Sequence, residues 1–233
     1  MKVKVCGITR IDQLLALPEL DVSYAGFIFY PPSPRYVGRA GLSGTAVKKA
    51  NVKLYKVGVF VDASYEEVMR SIDEYGLDMV QLHGRETPYE CQKIVANIDV
   101  IKAFRFAEND HVGWMIKDYY EDADFFLFDT GVPAPKGERE NKALYGGTGR
   151  KFDWKRLQDV PIQKPFFLSG GIEPTDAATV RDFMRTGAAK NMIAVDINSR
   201  FETEPGVKDM QKVAQFITEL KNDNGQDQSP AEV

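Results

Sequence analysis

Lys2-Val3-Lys4-Val5-Cys6-Gly7-Ile8-Thr9-Arg10 opens the chain as the first of a series of strand–helix units. Val3 and Val5 alternate with lysines, the period-two pattern of a short β-strand whose valines face inward. Gly7 breaks the strand, and Thr9 is placed to cap a helix beginning at Ile11-Asp12-Gln13. A thiol, Cys6, therefore falls at the carboxyl end of the first strand, beside a turn and close to a helix N-terminus. A helix dipole or a nearby cation can turn a thiol into a useful base. The position equally suits a small buried hydrophobe, the commoner use of a free cysteine.

The same alternation continues down the chain. Apolar runs at 24–29, 54–61, 78–82, 100–104, 125–128, 165–168 and 192–197 read as strands. Helices are expected near 42–50, at 65–75 behind a Ser64/Glu67 capping box, and at 88–96, 110–120, 154–157, 174–185 and 207–220. Strands alternating with helices imply parallel βαβ units, and eight of them imply a closed α/β fold, a single (β/α)8 TIM barrel. The barrel is expected over residues 1–221, with a polar, disordered tail at 222–233. A length of 233 residues suits one such domain.

Composition narrows the function. Two cysteines and two histidines form neither a disulfide framework nor a metal-ligand motif, so no metal and no cofactor is expected, and a reducing cytoplasm fits. No export signal and no run long enough to span a bilayer is evident. The net charge of −4 is interspersed, which argues against a nucleic-acid footprint. An anionic small molecule would need local donors. Composition leaves monomer and homodimer both open.

In this fold chemistry comes from the carboxyl ends of strands. The candidates there are Cys6, Arg35, His83, Asp129 and Asp196. Ser169-Gly170-Gly171 and Asn198-Ser199-Arg200 follow strands seven and eight, where barrels most often hold phosphate on backbone N–H groups. Asp129 ends the apolar run Phe125-Phe126-Leu127-Phe128, whose neighbours favour a protonated carboxyl able to donate. A helix cap or a salt-bridge partner would use the same residue. Arg35, in a proline-stiffened loop, could clamp a carboxylate or simply face solvent. His83 could touch substrate or serve as a hydrogen-bonded structural imidazole. Cys91, in the middle of a helix, reads as packing. A thiol base and a carboxylic acid facing each other beside a phosphate site would suit proton shuffling on a phosphorylated sugar.

Taken together these stretches resemble the phosphoribosylanthranilate isomerase family. The matching segments are Lys4 through Thr9, Phe29 through Tyr36, Val59-Phe60-Val61, Val80 through Gly84 and Phe128-Asp129. Gly146 through Trp154, Leu168 through Ile172, Asp196 through Ser199 and Pro205 through Asp209 follow in family order. The resemblance implies an Amadori rearrangement of N-(5-phosphoribosyl)anthranilate to 1-(2-carboxyphenylamino)-1-deoxyribulose 5-phosphate, in tryptophan biosynthesis. It implies Asp129 as general acid on the ring oxygen and Cys6 as general base at C2. Arg35 would face the anthranilate carboxylate, His83 would contact substrate, and Asp196 would lie near the bridging nitrogen. Gly170, Gly171, Ser199 and Arg200 would hold the phosphate, and the loop 133–149 would close as a lid. Arg200 and Phe201 depart from the glycine and small apolar residue usual there, so Arg200 either points outward or adds a cation to the phosphate. Other readings are a different phosphate-binding barrel, such as an indole-forming lyase or a metal-dependent epimerase, and an inactive anion-binding barrel.

Overall fold

β1 (Lys2–Cys6) pairs in parallel with both β2 (Tyr24–Ile28) and β8 (Met192–Ile197), so the sheet closes on itself. Between them run β3 (Tyr55–Phe60), β4 (Met79–Leu82), β5 (Asp99–Phe106), β6 (Phe125–Thr130) and β7 (Phe166–Leu168), every neighbour parallel. The computed structural model describes residues 1–106, 110–130 and 154–222. The expected lid at 133–149 and the tail beyond Asn222 lie outside the described residues. So do Gly146 to Asp153 of the matched segments.

Strand parity divides the core in two. Tyr24, Val57, Met79, Ile101, Ala103, Leu127, Phe167 and Ala194 pack inside the barrel. Their neighbours of opposite parity, among them Val3, Val5, Ala25, Phe27, Val80, Phe126 and Phe128, pack outward against the helices. Full burial of one such side chain is worth about 1.5–3 kcal/mol.

The outer layer contains α1 (Ile11–Ala16), α2 (Val37–Ala40), α3 (Gly44–Lys49), α4 (Tyr65–Tyr75), α5 (Pro88–Val95), α6 (Val112–Ile116), α7 (Ala177–Met184) and α8 (Met210–Lys221). Local chemistry sets their starts. Ser64 and Glu67 form the expected capping box, Thr87 and Glu90 a second, and Pro88 takes the first position of α5. None of the helices among the described residues is long and apolar enough to cross a membrane.

Three local expectations fail. Val3 and Val5 face the helices, while Lys4 and Cys6, of the other parity, line the interior side. Thr9 does not cap α1; Arg10 takes that place without a side-chain bond, and the Thr9 hydroxyl donates to the Gly206 carbonyl at 2.5 Å. The helix expected from Val207 starts at Met210. Val207–Lys208 instead forms β10, antiparallel to β9 (Glu202–Glu204), and Asp209 caps α8 by accepting from the Lys212 N–H.

Candidate active site

The interior parity carries polar groups to the carboxyl mouth of the barrel, each two residues beyond an apolar interior neighbour. Asp129 follows Leu127, Ser169 follows Phe167, Asp196 follows Ala194 and Gln81 follows Met79. Lys4 and Cys6 occupy the corresponding positions of β1. A Cβ on Gly26 would stand 2.9 Å from the Cys6 sulfur, so the bare backbone of β2 makes room for the thiol.

Two groups of charges meet at this end. On the β1–β8 side the Lys4 ammonium, fully buried, donates to Asp196 Oδ1 at 2.9 Å, and the Ser169 hydroxyl reaches Asp196 Oδ2 at 3.4 Å. Burial works against the Lys4 charge, but Asp196 and Cys6 hold the ammonium above its ordinary value. Burial pushes the Cys6 thiol up; Lys4 and Lys208 oppose this, and Asp196 adds to it. The expected help from a helix dipole does not arise, because α1 starts five residues later and desolvation dominates.

The second group lies above it. Arg35 is buried, not solvent-facing. It grips Glu202 with Nε at 2.8 Å and 3.0 Å and with Nη2 at 2.6 Å. Lys208 donates to the same carboxylate at 2.6 Å and to Asn198 Oδ1 at 2.7 Å. Burial draws the Lys208 ammonium down to about 8 despite Glu202. Gly7 is what allows this packing: its φ is +78°, and a Cβ there would stand 2.8 Å from Arg35 Cδ and 2.9 Å from Asn198 Oδ1.

Across the mouth, His83 Nε2 stands 3.3 Å from Asp129 Oδ2 without the alignment of a hydrogen bond. Gln81 Nε2 lies 2.8 Å from His83 Nδ1; with the amide oriented this way the neutral ring carries its proton on Nε2, facing Asp129. Below this pair Lys102 and Glu86, buried and 2.7 Å apart, fix the loop after β4. Glu86 accepts from the Gly84 and Asp62 N–H groups, and Lys102 donates to the Gly84 carbonyl at 2.9 Å. Asp196 feels both Asp129 and His83 electrostatically, and Cys6 feels Asp196. The Cys6 sulfur, Asp196, His83 and Asp129 therefore belong to one connected group of side chains at the mouth.

Next to it, Gly170 and Gly171 both take positive φ, 97° and 71°, in the turn after β7. Ser199–Phe201 makes a short 3-10 turn after β8. Phe201 is fully buried and packs edge-on to Phe216 at 5.2 Å, which anchors that turn. Arg200 is half-exposed and reaches Glu173, 3.4 Å away on the β7 side.

Sequence reasoning thus selected Cys6, Arg35, His83, Asp129, Asp196, Gly170, Gly171, Ser199 and Arg200, and all lie at the carboxyl end of the barrel. It missed Lys4, Glu202 and Lys208. The signal for Lys4 was present: it stands two residues before Cys6 and so shares its face. Among the described residues no group of three or more His, Cys, Asp or Glu could hold a metal ion.

Comparison with known proteins gives the family. The family model described as N-(5'phosphoribosyl)anthranilate (PRA) isomerase matches residues 3–219. The N-(5'-phosphoribosyl)anthranilate isomerase of Parabacteroides distasonis is 36% identical, over 94% of this chain and 93% of its own. The crystal structure of phosphoribosyl anthranilate isomerase from Thermus thermophilus superimposes with a TM-score of 0.76 at 28% identity, covering 94% of this chain and 98% of that one. A phosphoribosyl anthranilate isomerase in complex with reduced 1-(o-carboxyphenylamino)-1-deoxyribulose 5-phosphate gives 0.72 at 28% identity, covering 95% and 98%. With a family match over nearly its whole length and a closed barrel beneath it, the chain belongs to the N-(5'-phosphoribosyl)anthranilate isomerase family, isomerases of tryptophan biosynthesis.

Proposed function

We propose that the enzyme opens the furanose of N-(5-phosphoribosyl)anthranilate and delivers 1-(2-carboxyphenylamino)-1-deoxyribulose 5-phosphate, with Asp129 as general acid and Cys6 as general base. Asp129 gives its proton to the ring oxygen as the C1–O bond breaks, and the anilino nitrogen supplies the electron pair that forms the iminium. The Cys6 thiolate removes the C2 proton, the C2–H electrons form the C1=C2 bond of an enolamine, and the C1=N π pair returns to the nitrogen. The enol O–H loses its proton and C1 gains one, which gives the ketone. Each turnover leaves Asp129 without its proton and Cys6 with one extra, and exchange with solvent restores both.

The observation that carries this reading is the meeting of a sulfur from β1 and a carboxylate from β6 at one barrel mouth, linked electrostatically through Asp196. A thiol held high by burial is seldom a thiolate. The iminium brings a positive charge that adds to Lys4 and Lys208 at the moment the thiolate is needed. Arg35 would take the anthranilate carboxylate, His83 would contact substrate beside Asp129, and Asp196 would meet the bridging nitrogen. The backbone of Gly170, Gly171 and Ser199 would hold the phosphate, with Arg200 leaving Glu173 to join it. The isomerase crystallised with the reduced product supports a ligand of this class. Cys6 and Cys91 are both free thiols, which suits the cytoplasm.

The test is incubation with freshly made phosphoribosylanthranilate while following the decay of its anthranilate fluorescence. Cys6→Ala and Asp129→Asn should each remove most turnover and keep the far-UV spectrum of the parent. Undiminished turnover in Cys6→Ala contradicts the base assignment.

A further inference from the structure

A lysine with no exposed surface inside a barrel is costly to bury, and Lys4 is one. Its carbon stem runs along the interior face of β1, two residues before Cys6, and its ammonium meets Asp196 Oδ1 at 2.9 Å. The register pairs Lys4 directly with Asp196 across β1 and β8, so the contact is fixed by backbone and not by a flexible loop. Cys6 lies on the same face of the strand, and its sulfur and the ammonium act on each other electrostatically. The reaction as written above gives Lys4 no contact with substrate and no proton to move, only a charge near the sulfur.

We propose that Lys4 is a positioning residue for the base: paired with Asp196 and on the same strand face as Cys6, its ammonium holds the sulfur in place and governs when it carries a proton. This rests on Cys6 being the base. Among the described residues, the charges that act most on the sulfur come from three strands. β1 supplies Lys4, β8 supplies Asp196 and β10 supplies Lys208, whereas β2 offers only Gly26 beside the sulfur. Lys208 is the weaker candidate, because its ammonium is engaged by Glu202 at 2.6 Å and by Asn198 at 2.7 Å and stands next to the positive Arg35. Lys4 has one carboxylate, and that carboxylate opposes the thiolate. The pair therefore sets the sulfur by two charges of opposite sign, which gives the test its direction.

The experiment measures the rate of iodoacetamide alkylation at the Cys6 peptide by mass spectrometry across pH, together with the pH profile of kcat/KM. In Lys4→Met the alkylation midpoint and the acidic limb of kcat/KM should both rise by about one to three pH units, the range expected for loss of an adjacent opposite charge. Lys4→Arg, which keeps the charge, should return the midpoint toward the parent. Asp196→Asn should move the alkylation midpoint the other way, downward. A folded Lys4→Met with an unmoved midpoint overturns the proposal. Should Lys4→Met not fold, Asp196→Asn decides: a downward movement supports the proposal, and an unmoved or raised midpoint overturns it. Alkylation needs no turnover, so an active Cys6→Ala would sink the assignment of the base while leaving this measurement of Lys4 readable.

Discussion

Replacing Glu202 by glutamine changes almost no volume and removes the one negative charge between two buried cations. The side chains are 4% exposed for Glu202, 8% for Arg35 and none for Lys208. Arg35 makes three N–H···O contacts to the carboxylate, Lys208 one, and the Gly206 N–H a weaker one at 3.2 Å. The two cations respond differently. Lys208 already sits at about 8, so without Glu202 it sheds its proton near pH 7, which limits its share of the loss to roughly 1 kcal/mol. Arg35 has no such escape, because a guanidinium does not deprotonate in a protein. Deleting one partner of a buried pair costs about 3–5 kcal/mol, and the amide oxygen of glutamine keeps one acceptor, which places the loss near the lower end. A loss of about 3 kcal/mol lowers Tm by about 6–12 °C in a domain of this size.

Circular-dichroism melts of parent and Glu202→Gln at pH 7 read this directly, and the pH dependence checks the cause. Burial pushes the Glu202 carboxyl up, but Arg35 and Lys208 outweigh it and hold it below its ordinary 4.5. A folded-state value below the unfolded one gives stabilisation that is present above 4.5 and lost as pH falls through the folded value. The gap between parent and variant should therefore narrow below about pH 4.5. Lys208 works in the opposite range: its folded value of about 8 lies below its unfolded 10.5, so its contribution improves as pH rises between the two. A variant within about 1 kcal/mol of the parent at pH 7, with a gap indifferent to acid, would refute the claim that this cluster holds Arg35 in place.

Two further outcomes follow from the geometry. Gly7→Ala puts a Cβ at φ +78° and within 2.9 Å of Arg35 and Asn198, so it should cost about 1–3 kcal/mol and raise KM more than it lowers kcat; unchanged stability and KM would show that the loop gives freely. Chelator should leave the rate untouched, since the proposed proton transfers need no Lewis acid; inhibition reversed by added metal would point to epimerase-like chemistry instead.

The strands were legible because each is a short apolar run bounded by turn residues, and the placement of Cys6, Asp129 and Asp196 followed from where those runs end. The facing of β1 was not legible from hydrophobicity. Val3 and Val5 between lysines look like one buried and one wet face, but a closed barrel covers both faces, and here Lys4 is as buried as the valines. Thr9 carries a capping signature, yet its hydroxyl finds a better acceptor in Gly206, 197 residues away in sequence. The start of α8 was misread because Val207 continues an apolar pattern. Gly206 at φ +89° and the β9–β10 pairing end that pattern before Asp209 supplies the cap. Arg35 and Glu202 stand 167 residues apart, and no local pattern joins them.

The same parity that hid Lys4 explains why the site works as a unit. Below the polar residues of the mouth lies an apolar floor of Leu127, Phe167, Ala194 and Ile101, all with essentially no exposed surface. Charges resting on such a floor are little screened, so each interaction is worth more than it would be at the surface. This raises the cost of an uncompensated group, which is why Lys4 is matched to Asp196 and Lys208 to Glu202. It also makes the sulfur responsive: in water one added positive charge would barely move a thiol, whereas here the iminium of the proposed reaction would decide whether Cys6 keeps its proton. In the proposed reaction this weak screening would couple ring opening at the Asp129 side to proton removal at the Cys6 side, because the charge created by the first step is felt by the second.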